Sequence, residues 1–208
     1  METDSRALLA NIPEEEHSSH INEALRYQVI MPYTVEEGQL NAFLAGAQEN
    51  LIIIGASLAL VIEHAGGLIT HKISEPNFHL TVLMMTEDID EAGALYRHLM
   101  VQFGGHQPDV ARFVETVRES AQFFRDLGQV AGGRLDFRQF AEFPRFGVTI
   151  RDHNTTSPSL RVNFYTDLSA AKLHPLLQIT PGSLASWAVY RDFVVYYEQL
   201  RRRAAPAL

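Results

Sequence analysis

The sequence predicts an α/β domain, a mixed sheet of about six to seven strands flanked by helices, and three observations carry that expectation. Two nearly unbroken apolar runs, Leu51-Ile-Ile-Ile54 and Phe78-His-Leu-Thr-Val-Leu-Met-Met85, have the composition of strands covered on both faces. The stretch between them is of helical character and roughly 20 residues long, which makes a right-handed parallel crossover the default connection. After residue 133 the apolar period changes from 3.6 to 2, and the chain closes on an amphipathic stretch with Trp187, Tyr190, Val194 and Tyr197 at helical spacing.

Composition narrows the classes. The 208 residues are 46% hydrophobic and 20% charged, ordinary for a single globular domain. A net charge of −8 disfavours broad attraction to nucleic acid or to anionic membranes. Cysteine is absent, which excludes a disulfide framework, a thiolate nucleophile and a cysteine zinc site. The longest apolar run, residues 51–62, stops at Glu63, short of the ~20 residues that span a bilayer as a helix. The start, Met1-Glu-Thr-Asp-Ser, lacks the pattern of a secretory signal, so a soluble cytoplasmic protein is expected.

The elements follow in order. Residues 1–24 read as a polar extension; His17 and His20 have too few neighbouring ligands for a metal. A short strand over 27–31 precedes Pro32. Thr34 and Glu37 have the spacing of a capping box, which predicts a helix over about 35–48. The strand at 51–54 ends in Gly55-Ala-Ser57, and a helix begins at Leu58. Ser57 has two readings: N-cap of that helix, or a hydroxyl at a strand-to-helix turn where backbone amides hold an anion. The glycines of a nucleophile elbow, a Walker A loop or a dinucleotide fingerprint are missing.

After the second strong strand, Asp88-Ile-Asp-Glu91 is expected to open a helix carrying Ile89, Ala92, Tyr96, Leu99 and Met100. A longer helix after Pro108 aligns Val110, Phe113, Val114, Val117, Ala121 and Phe124, until residues 128–133 break it. Three strands then alternate: around Leu135 and Phe137, around Phe146, Val148 and Ile150, and over 160–165, with a polar turn at 152–158. A fourth covers 175–180, and the last helix covers 183–202. The domain is expected to occupy 25–203, with 204–208 a tail.

The element order, the Ile-Ile-Ile-Gly-Ala-Ser-Leu turn, the apolar strand at 82–85 and the segment Phe143-Pro-Arg-Phe-Gly-Val-Thr-Ile-Arg-Asp152 together resemble one half of a phospholipase D-like domain. The similarity covers roughly residues 25–203 and is one of pattern. The family signature is His-x-Lys, four residues, then Asp. Laid on this chain, Asp152 matches the aspartate, whereas Arg145 stands at the histidine and Gly147 at the lysine. The family's histidine is a nucleophile; an arginine, permanently protonated, cannot take that role. The resemblance therefore implies a degenerate, non-catalytic half.

What such a domain does is left with alternatives. A regulatory or signalling module would bind a phosphate-bearing small molecule or a protein partner, with Ser57, Arg138, Arg145, Arg151 and Asp152 as ligand-binding residues. Equally, Arg138, Arg145, Arg151 and Arg161 balance Asp136, Glu142, Asp152 and Asp167 on a wet sheet face. A hydrolase of the phosphodiesterase or nuclease class would need Asp152, His153 and His174 to converge. Nucleic-acid binding would use the arginines and the basic end at residues 201–203. His79, inside an apolar strand, reads as a core histidine, and no histidine pair has zinc-ligand spacing, so neither metal nor cofactor is expected. Trp187, Tyr190, Val194 and Tyr197 suggest a homodimer through the last helix, as a lone half would need, while the aromatics of that helix could alternatively stack bases.

Overall fold

A computed structural model of the chain describes residues 27–30, 37–164 and 176–208. One mixed sheet forms its centre. Its strands are β1 (Tyr27–Ile30), β2 (Asn50–Gly55), β3 (His79–Met85), β4 (Leu135–Phe140), β5 (Phe146–Arg151), β6 (Ser159–Phe164), β7 (Leu176–Ile179) and β8 (Ala205–Pro206), in the order β1-β7-β6-β5-β2-β3-β4-β8. The α/β class and the mixed sheet are as expected; a two-residue strand brings the number to eight.

The parallel part is β2, β3 and β4. Every residue from Leu51 to Ile54 and from Val82 to Met85 is buried, as apolar runs on both faces require. Every other pairing is antiparallel, including β5 against β2. Thus β5, the stretch after Arg145, runs through the middle of the sheet.

Five helices are described: α1 (Glu37–Ala45), α2 (Ala59–Ser74), α3 (Ala94–Gln102), α4 (Gln107–Ala131) and α5 (Leu184–Arg203). Following the register, Phe137, Val82, Ile53, Thr149 and Arg161 share one face of the sheet, and Asp136, Thr81, Ile52 and Ile150 the other. α4 packs on the first face through Phe124 against Phe137, centroids 5.6 Å apart. α1 packs on it beneath Arg151 and Arg161, whose guanidiniums lie 5.0 and 5.5 Å from the Phe43 ring. α2 lies between these helices, its Gly66 facing Phe123 of α4 and its Lys72 donating to the Ala47 carbonyl at 2.8 Å. α5 covers the second face: Phe193 and Tyr196 pack on Phe146, and Arg201 reaches Asp136.

Several boundaries differ from expectation for local reasons. The helix expected at Asp88 begins at Ala94, because Asp90 Oδ1 accepts from the Ala92 amide and its carbonyl from Gly93, closing a turn that competes with helix. α4 continues through Gly128 and stops at Gly132 and Gly133, both left-handed at φ 59° and 84°. α1 covers only Glu37–Ala45, and Thr34 of the expected capping box lies outside the described residues, as do His17 and His20. α5 has its capping box at Ser183 and Ser186. Residues 204–208, expected as a tail, instead carry the edge strand β8 against β4. His79, expected in the core, is exposed where β3 begins.

Candidate functional site

The two ends of the sheet differ in chemistry. At the carboxyl ends of β2, β3 and β4 lies the crevice where open α/β sheets commonly hold ligands. β2 leaves the sheet through Ala56 and Ser57 into Leu58, which takes a left-handed conformation (φ 58°, ψ 9°) and is the N-cap of α2. Among the described residues no side chain caps this helix, its first turn holds no acidic residue, and Leu58, not Ser57, is its N-cap. The half-buried Ser57 sits beside amides at the positive end of the helix dipole.

Residues 141–145 arrive at the same end. They connect β4 to β5 across β3 and β2, three strand spacings or about 14 Å. The six Cα steps from Phe140 to Phe146 reach about 20 Å when extended, so these residues run as a short strap over the strand ends. Phe143 stacks on His98 of α3, Pro144 is buried, and Glu142 pairs with Arg203 at 2.9 Å. The Arg145 backbone hydrogen-bonds the Tyr196 hydroxyl, whose pKa is raised chiefly by burial. With its backbone fixed, Arg145 projects an exposed side chain that enters no ion pair among the described residues.

The opposite end, where β5 finishes and β2 starts, is a closed structural knot. Asp152 is buried and left-handed (φ 54°). Its Oδ1 accepts from the amides of Gln48 and Glu49, each at 2.8 Å, and its own amide donates to the Asn50 carbonyl. Asn50 and His153 exchange two hydrogen bonds: the Asn50 amide nitrogen donates to the His153 carbonyl, and its Oδ1 accepts from the His153 amide. The His153 ring shares a 3.0 Å hydrogen bond with the Tyr190 hydroxyl. Burial, partly opposed by Glu198, lowers the His153 pKa, and burial pushes Tyr190 up to about 12.

The residues singled out from the sequence therefore divide. Ser57 and Arg145 share one end of the sheet; Arg151 and Asp152 lie at the other, six residues of β5 or ~20 Å away. Arg151 donates to the Phe43 carbonyl at 3.3 Å and Arg161 to the Gln39 carbonyl at 3.0 Å, so both clamp α1. Arg138 is bound to Asp136, which also holds Arg201 through two hydrogen bonds. His174 and Asp167 lie outside the described residues. On the last helix, Tyr190 and Tyr197 are buried, whereas Trp187 is 42% exposed.

Sequence reasoning missed the left-handed Leu58, the strap and the His153–Tyr190 bond. The first has no signature, since leucine rarely adopts that conformation. The others join residues 37 and 61 positions apart. Among the described residues no three His, Asp or Glu side chains converge on a metal site, and no helix is long and apolar enough to cross a membrane.

No family model matches the chain, and no curated protein matches it. Among solved structures it is similar to TrmBL2, an archaeal chromatin protein described as showing a novel mode of DNA binding. The two are 12% identical with a TM-score of 0.46; the match covers 93% of this chain and 62% of that one. The chain thus spans less than two thirds of that protein's length.

Proposed function

We propose that the chain is a non-catalytic regulatory module that binds a phosphate-bearing small molecule at the carboxyl ends of the parallel strands. The observation that carries this reading is the uncapped, left-handed entry of α2, with Ser57 on it and the Arg145 side chain at the same end of the sheet. Helix amides, a hydroxyl and a guanidinium are the donors that phosphate recognition uses. The phospholipase D-like resemblance supports a non-catalytic reading: Arg145 offers no nucleophile, and Gly147 at the lysine position is buried inside β5. The hydrolase alternative is weakened because Asp152 spends its buried carboxylate on backbone amides. The nucleic-acid alternative is weakened because Arg201 and Arg203 are already paired with Asp136 and Glu142.

A thermal-shift series with inorganic pyrophosphate, nucleotides, cyclic nucleotides and phospholipid headgroups tests the reading. A ligand at 100 times its Kd stabilises by about 2.7 kcal/mol, a shift of roughly 5–10 °C for a chain of this size. Arg145→Ala abolishes that shift, while Arg138→Ala, which touches only the Asp136 cluster, preserves it. If no phosphate compound raises the melting temperature, or if Arg145→Ala leaves the shift intact, the reading is wrong.

A further inference from the structure

Among the described residues, nothing packs on the outer face of α5 at Leu184, Trp187 and Val195. Leu184 is 90% exposed, Val195 47% and Trp187 42%, and with Ala188 and Arg191 they form a stripe at positions 184, 187, 188, 191 and 195, the spacing of a helix seam. A groove of about 610 Å³ runs along it, lined among the described residues by Leu184, Trp187, Ala188, Tyr190, Arg191 and Val194. Arg191 and the adjacent Asp192 are both exposed, and neither enters an ion pair among the described residues.

We infer that this face pairs with a second copy of the chain, α5 against α5, antiparallel about a two-fold axis near Ala188. The stripe is complementary to itself. With the axis between Ala188 and Arg191, Leu184 of one copy meets Val195 of the other, and the small Ala188 lets the helices approach at the crossing. Each Arg191 then lies level with the other copy's Ala188, one helical turn from that copy's Asp192 and within reach of its carboxylate. Arg191 on the stripe and Asp192 beside it are satisfied by the opposite charges of the other copy under two-fold symmetry, which makes the same patch on both chains its own partner. A partner of one charge sign would leave one of the two unmatched. The seam is one helix of 20 residues, about 30 Å long, so it buries less than the standard ~1,600 Å² and gives a concentration-dependent dimer. Tyr197 takes no part in it, and Tyr190, 5% exposed, contributes only to the floor of the groove.

Sedimentation velocity and native mass measurement on the full chain over a wide concentration range provide the test. The expected result is a rise from 23.4 kDa to twice that mass as concentration increases. Ala188→Arg, at the axis, raises the dimer dissociation constant at least tenfold, with the circular dichroism spectrum unchanged as evidence of folding. Arg191→Asp alone places two adjacent carboxylates on each copy, and Asp192→Arg alone two adjacent cations. Each variant is monomeric by itself, and an equimolar mixture of the two forms heterodimers. A chain that stays monomeric at every concentration overturns the inference. So does a dimer indifferent to Ala188→Arg, or a mixture of the charge variants that fails to associate. Association only in the presence of oligonucleotide would assign the face to nucleic acid instead and equally overturn it.

Discussion

At the scale of the residue, Asp152 separates a structural role from a chemical one. Its carboxylate is the acceptor for two amides that lead into β2, and its left-handed backbone is one that aspartate tolerates better than most residues. Asp152→Ala removes the acceptor of two part-buried amide hydrogen bonds and is expected to cost about 1–2 kcal/mol. Asp152→Asn keeps an acceptor oxygen and costs roughly half of that. Urea midpoints measure both, and an alanine variant with the wild-type midpoint would refute the structural role. His153 makes a pH prediction. Burial lowers its folded pKa, so the unfolded chain binds the proton more readily. The neutral ring's contribution is complete above the unfolded value of about 6.5 and is lost as pH falls below it. His153→Gln removes that part of the decline, so the two stability–pH curves converge on acidification below pH 6.5. The sequence made Asp152 conspicuous, and the pairing of Arg138 with Asp136 was readable from their two-residue spacing on one strand face. The actual partners of Asp152 lie 103 and 104 positions away, which no local pattern encodes.

Elements were most legible where one physical signal dominated. The apolar runs of β2 and β3 and the stripe of α4 had no competing reading. Errors arose where local chemistry overrode periodicity: the Asp90 turn delays α3, and α4 runs past a glycine expected to stop it. Gly128 leaves room for the Leu208 side chain, which a Cβ there would run into, and the helix end is set by the left-handed Gly132, whose conformation costs a glycine little. The cost of a helical glycine can be isolated in α2. Gly67 is exposed in its interior and has open space around its Cα, whereas Gly66 beside it faces the Phe123 ring at 3.5 Å. Gly67→Ala is therefore expected to stabilise the protein by about 0.5–1 kcal/mol through the backbone entropy of the unfolded chain. A calorimetric melting temperature unchanged or lowered in this variant would mean that α2 does not limit stability as a regular helix should.

At the scale of the whole molecule, the parallel pairing of β2 and β3 followed from their crossover, but the sheet order did not. Nothing in residues 135–164 says that the chain crosses back over β3 and β2 to place β5 on the far side of β2. That order rests on the pairing of β5 with β2, which buries Val148 and Ile150 in the middle of the sheet and joins residues about 100 positions apart. The far edge was equally hidden, because Ala205 and Pro206 have too little pattern to announce a strand. Their effect on the sheet is nonetheless definite. Arg138 and Gln139 pair with Pro206 and Ala205, the Ala207 amide donates to the Phe137 carbonyl at 3.0 Å, and Ala204 is buried. A short edge strand carrying proline, which lacks an amide donor, covers β4 and presents a poor template for a further strand. Ending the chain after Arg203 uncovers the backbone of β4. The expected cost is about 1–3 kcal/mol for the lost pairing, and β4, whose Leu135, Phe137 and Phe140 are buried, becomes an open edge. Such a truncated chain should show a lower urea midpoint and light scattering that grows with time and concentration, and Ala188→Arg should not suppress that scattering, because it arises at the sheet edge and not along α5. A truncated chain with the stability and solubility of the full one would show that β8 decorates the edge without holding it.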